Sequence, residues 1–171
     1  LGSGLGIGTI ALVARAWGAR EYAKGEHIGA QSMVLGLIVS VVIGTAGLLL
    51  APLVLVLLGA NGEVLADATR YLRIVFAGLP LMIFMFQAGA VFQGTGDTMT
   101  PTRIGAATTI LNIALDPVLI FGLAGAPRLG VAGAAVSSLL ARIVGCVLMA
   151  RIIFRGDHAL RLDRRSFRPD W

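Results

Sequence analysis

Four residues in one apolar stretch, TTILNIALDPVLIFGL at 108–123, have the types and spacing to do chemistry. Asp116 is preceded by Asn112 four positions earlier and by Thr109 and Thr108 seven and eight positions earlier. On a helix these four share one face. Apart from Pro117 and Gly122, the rest of the stretch is apolar. A carboxyl flanked by an amide and hydroxyls can stand neutral or charged. It can therefore carry a proton, or hold a sodium ion through oxygen atoms. Pro117 has no N–H for the Ile113 carbonyl, which leaves one more free acceptor nearby. The competing reading is a structural acid, permanently protonated or paired with Arg142.

The elements that must position these residues follow from composition. Of 171 residues, 57% are hydrophobic and 13% charged, where a soluble domain is about a quarter charged. The mean hydropathy is +0.87. The apolar residues fall into blocks of roughly 20, about the length that crosses a hydrocarbon core as helix. Five blocks are expected, at about 1–14, 29–58, 65–93, 102–123 and 131–154, followed by a basic tail at 155–171. The fold class is all-α, a polytopic membrane helical bundle. In lipid, Asp116 lies about twelve residues into its span, roughly 18 Å along the helix. An acid at that depth is a functional candidate by default. The first block has no polar lead-in, which leads to the expectation of a fragment that lacks at least one earlier helix.

Charge sets the expected orientation. Arg15, Arg20, Lys24, Arg103, Arg151, Arg155, Arg161, Arg164, Arg165 and Arg168 lie on one side if the blocks alternate. The other side receives Arg70, Arg73 and Arg128, while Arg142 falls within the fifth block. Ten cations against three is a positive-inside bias, so 15–28, 94–101 and the tail are expected to be cytoplasmic. The formal charge of +5 follows from this asymmetry and gives no reason to expect nucleic acid as a partner.

Other features carry weaker signals. Arg142 reads as a counter-ion, a substrate contact or a snorkelling residue. Ser137 and Ser138 suit hydrogen bonds between helices or plain packing, and Gln87 suits a cavity lining or packing. In GTGDTMTPTR, Thr100 is expected to cap the fourth block with Pro101 at its first position. Pro52 and Pro80 lie inside spans and are expected to kink them. There is no Walker A motif, and Cys146 stands alone. No cofactor is expected, and no metal beyond a sodium ion at Asp116.

LVARAWGARE (12–21), LLGANGEVLADATRYLRIVFAGLP (57–80), QGTGDTMTP (93–101), NIALDPVLIFG (112–122) and RLGVAGAAVSSLLAR (128–142) occur in that order. Together they resemble the multidrug and toxic compound extrusion (MATE) transporters over nearly the whole chain. The resemblance implies twelve spans in two six-helix lobes around a cleft. The five blocks would be spans two to six of the N-terminal lobe, with the first helix and the C-terminal lobe outside this chain. It also implies that Asn112 and Asp116 match the buried asparagine and acid of span five in proton-coupled members. Ser138, or equally Ser137, matches a hydroxyl on span six. Gln93 and Met99 depart from the family pattern, in a loop away from that site.

The function expected is an antiporter, coupled to H⁺ or Na⁺, that exports amphipathic organic compounds by alternating access from the plasma (inner) membrane. A lipid-linked oligosaccharide flippase of the same superfamily is the alternative, and it needs several basic residues on the cleft. An intramembrane aspartyl protease needs a second buried acid. A purely structural membrane subunit needs no ion carrier. Membrane lipid and small amphipathic compounds are the expected partners.

Overall fold

The apolar blocks become helices because lipid leaves every backbone N–H and C=O to be satisfied within its own segment. In the computed structural model, which describes residues 2–125 and 127–155, these are α1 (Gly2–Gly18), α2 (Tyr22–Leu57), α3 (Gly62–Ala77), α4 (Leu79–Gly94), α5 (Met99–Phe121) and α6 (Val131–Arg155). Four stretches are long and apolar enough to cross a membrane: Tyr22–Leu57, Gly62–Gly94, Met99–Phe121 and Val131–Ile153. Gly4–Gly18 is a shorter apolar helix. The expected basic tail, with Arg161, Arg164, Arg165 and Arg168, lies outside the described residues.

Three boundaries differ from the sequence expectation. The second helix begins at Tyr22 rather than near 29. Lys24, Glu26 and His27 lower the local hydropathy but do not break a helix, so it runs on beyond its apolar part. The block at 65–93 is two helices, α3 and α4, parted at Gly78. Pro80 sits in the first turn of α4, where its missing N–H costs nothing. Pro52 and Pro117, by contrast, are carried inside unbroken helices.

The start of α5 is also set differently. Its first residue is Met99, so Pro101 is the third helical position and Thr100 is not the cap. The capping group is the Asp97 carboxylate. It accepts from the backbone N–H of Met99 at 3.1 Å and of Thr100 at 3.0 Å, and from the Thr100 hydroxyl at 2.5 Å. Pro101 still costs nothing, because the first N–H groups of any helix lack an intrahelical acceptor.

Packing divides the helices into two sets that share a small core. α1, α2 and α4 pack on one another, α3 lies against α2 and α6, and α5 rests chiefly on α6. Ala30, Met33, Ala88, Val91, Phe92, Ile104, Met149 and Ile153 form the core cluster. Large apolar side chains such as Ile7, Val42, Leu49 and Ile110 point outward, as a surface in contact with lipid requires.

The α5–α6 corner fixes the geometry of everything that follows. Gly122 ends α5 in the left-handed conformation, with φ 74°. The chain then folds back on the same helix: the Leu129 N–H donates to the Leu119 carbonyl at 3.0 Å and the Gly130 N–H to the Ile120 carbonyl at 3.3 Å. Gly133 follows in the first turn of α6. A Cβ at Gly133 would stand 2.5 Å from the Leu119 carbonyl oxygen and 2.7 Å from its carbon. Two backbones approach this closely only because one residue has no side chain.

Candidate functional site

One turn beyond Gly133, the close approach brings the polar residues of the two helices together. The Ser137 hydroxyl donates to the Asp116 carboxylate. The Asn112 amide nitrogen lies 3.2 Å from Ser137 Oγ, and 3.4 Å from both Ser138 Oγ and Asp116 Oδ1. Ser137 is fully buried, while Asp116 and Asn112 are half-buried. Of the three contacts to the amide, the one to Ser137 is within ordinary hydrogen-bond range and the other two are long.

Ser137 Oγ also lies 3.0 Å from the Ala134 carbonyl oxygen. A serine has one hydroxyl hydrogen, so it can serve one of these two acceptors at a time. With Asp116 charged, the hydrogen belongs to the carboxylate. With Asp116 protonated, the carboxyl itself donates to Ser137, and the serine hydrogen turns to Ala134. Ser137 therefore keeps an acceptor for its hydrogen whether Asp116 is charged or protonated. The Asp116 carboxylate, the Asn112 amide oxygen and the two serine hydroxyls also supply oxygen atoms of the kind sodium takes.

Beside this network lies a cavity of about 170 Å³, lined by Thr108, Thr109, Asn112, Ser138, Ala141 and Arg142. Both threonine hydroxyls donate to the Gly105 carbonyl at 2.9 Å, so their lone pairs are left for whatever occupies the space. Arg142 lies one turn beyond Ser138 on the same face of α6. Among the described residues no ion pair joins it to Asp116. The cavity therefore has a carboxyl–amide–hydroxyl network near one end and a guanidinium at the other, and it is polar enough to hold water.

Of the residues marked in the sequence, Thr108, Thr109, Asn112, Asp116, Ser137, Ser138 and Arg142 come together in this region, with Pro117 next to Asp116. Gln87 does not. It is buried between α4 and α2, where its amide nitrogen donates to the Ser32 carbonyl at 3.0 Å and its Oε1 has no partner among the described residues. Gly133 and the Ala134 carbonyl were not singled out from the sequence. The signal was present, since Gly133 and Ser137 are small residues four apart on one helix.

Comparison with known proteins identifies the family of the chain. The MatE family model matches residues 1–118. The chain belongs to the MatE family. A probable multidrug resistance protein of Thermotoga maritima, NorM, is 30% identical over 96% of the chain, which covers 35% of that relative. A solved inward-facing conformation of a multidrug resistance MATE family transporter superposes with a TM-score of 0.89 at 31% identity. It covers 98% of this chain and 38% of its own. An outward-facing conformation of a MATE family transporter gives the same TM-score and identity, covering 98% and 37%. The chain spans about a third of the length of the curated relatives it matches. It is a multi-pass membrane protein segment of MATE fold, and its relatives are multidrug transporters rather than enzymes by name.

Proposed function

We propose that this chain is part of one helical lobe of a cation-coupled antiporter that exports amphipathic organic compounds, with Asp116 taking and releasing the coupling ion. The observation that carries the reading is the Asp116–Ser137–Asn112 network between α5 and α6, in which the Ser137 hydroxyl has one acceptor on Asp116 and another at the Ala134 carbonyl. Alternating access is the proposed mechanism. The equal TM-scores against inward- and outward-facing structures support a lobe that moves largely as one body. The plasma (inner) membrane is the proposed location, with the 19–21 and 95–98 loops on the cytoplasmic side, and the charge asymmetry supports that orientation. A flippase for lipid-linked oligosaccharide phosphates is less well supported, because Arg142 is the one cation lining the cavity among the described residues.

The test uses the full-length protein in proteoliposomes, with efflux of a cationic dye driven by an imposed pH or Na⁺ gradient. Asp116→Asn keeps the size and mimics the neutral acid, so it should reach normal membrane levels yet lose gradient-driven movement. If it pumps like the parent at every pH and Na⁺ concentration, Asp116 is a structural acid and the proposal fails.

A further inference from the structure

The groove between α2 and α3, away from the α5–α6 site, carries two cations at an unexpected depth. It has a volume of about 530 Å³ and is lined in part by Pro52, Leu65, Thr69, Arg70, Arg73 and Ile74. α3 and α4 together make an apolar stretch of 33 residues, about 50 Å if laid end to end, against a hydrocarbon core of about 30 Å. Centred in the bilayer, it leaves about 10 Å beyond the hydrocarbon at each end. Arg70 and Arg73 lie eight and eleven residues from Gly62. So placed, their backbones would lie roughly 2 and 6 Å below the hydrocarbon boundary, within an arginine side chain's reach of the phosphates.

Neither guanidinium is ion-paired or hydrogen-bonded to another side chain among the described residues. Asp67, the acid nearest in sequence, lines the opposite flank of α3 with Tyr71 and Val131. Two unpaired arginines three residues apart on one helix face, at this depth, call for an anion. A free anion in water would not reach the apolar part of the groove. On α2, whose Pro52 lines the groove, Leu49 and Leu53 are exposed.

We infer that the α2–α3 groove binds one anionic phospholipid, its phosphate held by Arg70 and Arg73 and an acyl chain laid along Pro52, Leu65 and Ile74. The guanidinium fork matches phosphate oxygens through paired N–H donors. Thr69, which has no hydrogen-bond partner among the described residues, adds a hydroxyl beside the headgroup. The leaflet is the one opposite the 19–21 and 95–98 loops. The site is independent of Asp116, and the two arginines disfavour a cationic export substrate there.

The test is native mass spectrometry of the full-length protein, delipidated and titrated with phosphatidylglycerol or phosphatidylcholine of matched acyl chains. The parent should retain one phosphatidylglycerol with about tenfold or greater preference, the scale expected for charge-assisted hydrogen bonds. R70Q/R73Q should lose that preference, while the loop variant R128Q should keep it. Retention of the preference by R70Q/R73Q overturns the inference. So does its loss in the parent on adding millimolar inorganic phosphate, which would mark a site for soluble anions. If the double variant fails to fold, photoactivatable phosphatidylglycerol on the parent decides. Crosslinks should fall within residues 49–74, and crosslinks confined to other regions refute the site.

Discussion

Gly133→Ala isolates the separation of α5 and α6 from the chemistry of the polar residues. The new Cβ would stand 2.5 Å from the Leu119 carbonyl oxygen and 2.7 Å from its carbon. Both are backbone atoms, so no side-chain rotation relieves the clash. Restoring an ordinary contact of 3.4 Å moves the helices apart locally by about 0.9 Å. Carried one turn along α6, that opens the Asn112–Ser137 contact from 3.2 Å to about 4 Å, beyond hydrogen-bond range. The long contact to Ser138 is lost with it. Overpacking of this kind destabilises by about 1–3 kcal/mol. The assay is thermal unfolding of the full-length protein in detergent, alongside gradient-driven dye efflux at matched membrane levels. Gly105→Ala is the control on the same helix pair, since a Cβ there meets nothing within 4 Å. Gly133→Ala should lower the melting temperature and depress efflux, and Gly105→Ala should do neither. A Gly133→Ala protein with parental stability and efflux would show that the helices are not held at this separation, and that the network does not depend on it.

Three further outcomes are expected. Ser137→Ala should shift the pH or Na⁺ dependence of efflux by roughly 2- to 10-fold, the scale of one net hydrogen bond; Ser138→Ala, whose one contact to the network is long, should shift it less, and the reverse order would reassign the site. Asp97→Ala removes the cap of α5 and should cost about 1 kcal/mol, read as a lower midpoint in thermal unfolding with the efflux mechanism intact. In a Cys146→Ala background, an impermeant thiol reagent on intact cells should label Asn61→Cys and spare Thr98→Cys, and the opposite pattern would invert the topology.

The polar stripe on α5 was legible because a helix repeats every 3.6 residues, so Asn112 and Asp116 declare a shared face by spacing alone. That Ser137 and Ser138 meet that face was not legible from spacing, since contacts between helices depend on how closely the backbones approach. Here the approach is set by Gly133, whose contribution is the absence of an atom, and absence leaves a weak trace in hydropathy. The division of 65–93 into α3 and α4 was signalled by Gly78 and Pro80 but hidden by continuous hydropathy. The start of α2 was misjudged for the opposite reason, because polar residues end an apolar block without ending a helix. Asp97 rather than Thr100 caps α5 because a carboxylate two residues before the helix can span three donors at once. Gln87 has the same polar character as Asn112 but packs against α2, and only the arrangement of helices separates the two.

The single hydrogen on Ser137 makes α6 a reporter of α5. When Asp116 is charged, the Ala134 carbonyl keeps only its helical bond. When Asp116 is protonated, that carbonyl gains the serine hydrogen and its stretching vibration softens. A ¹³C label placed on the Ala134 carbonyl alone would therefore carry an infrared signature of protonation at Asp116, the step proposed above for a proton-coupled cycle. The load could then be followed spectroscopically, within the membrane and without a dye, from a backbone group on the neighbouring helix.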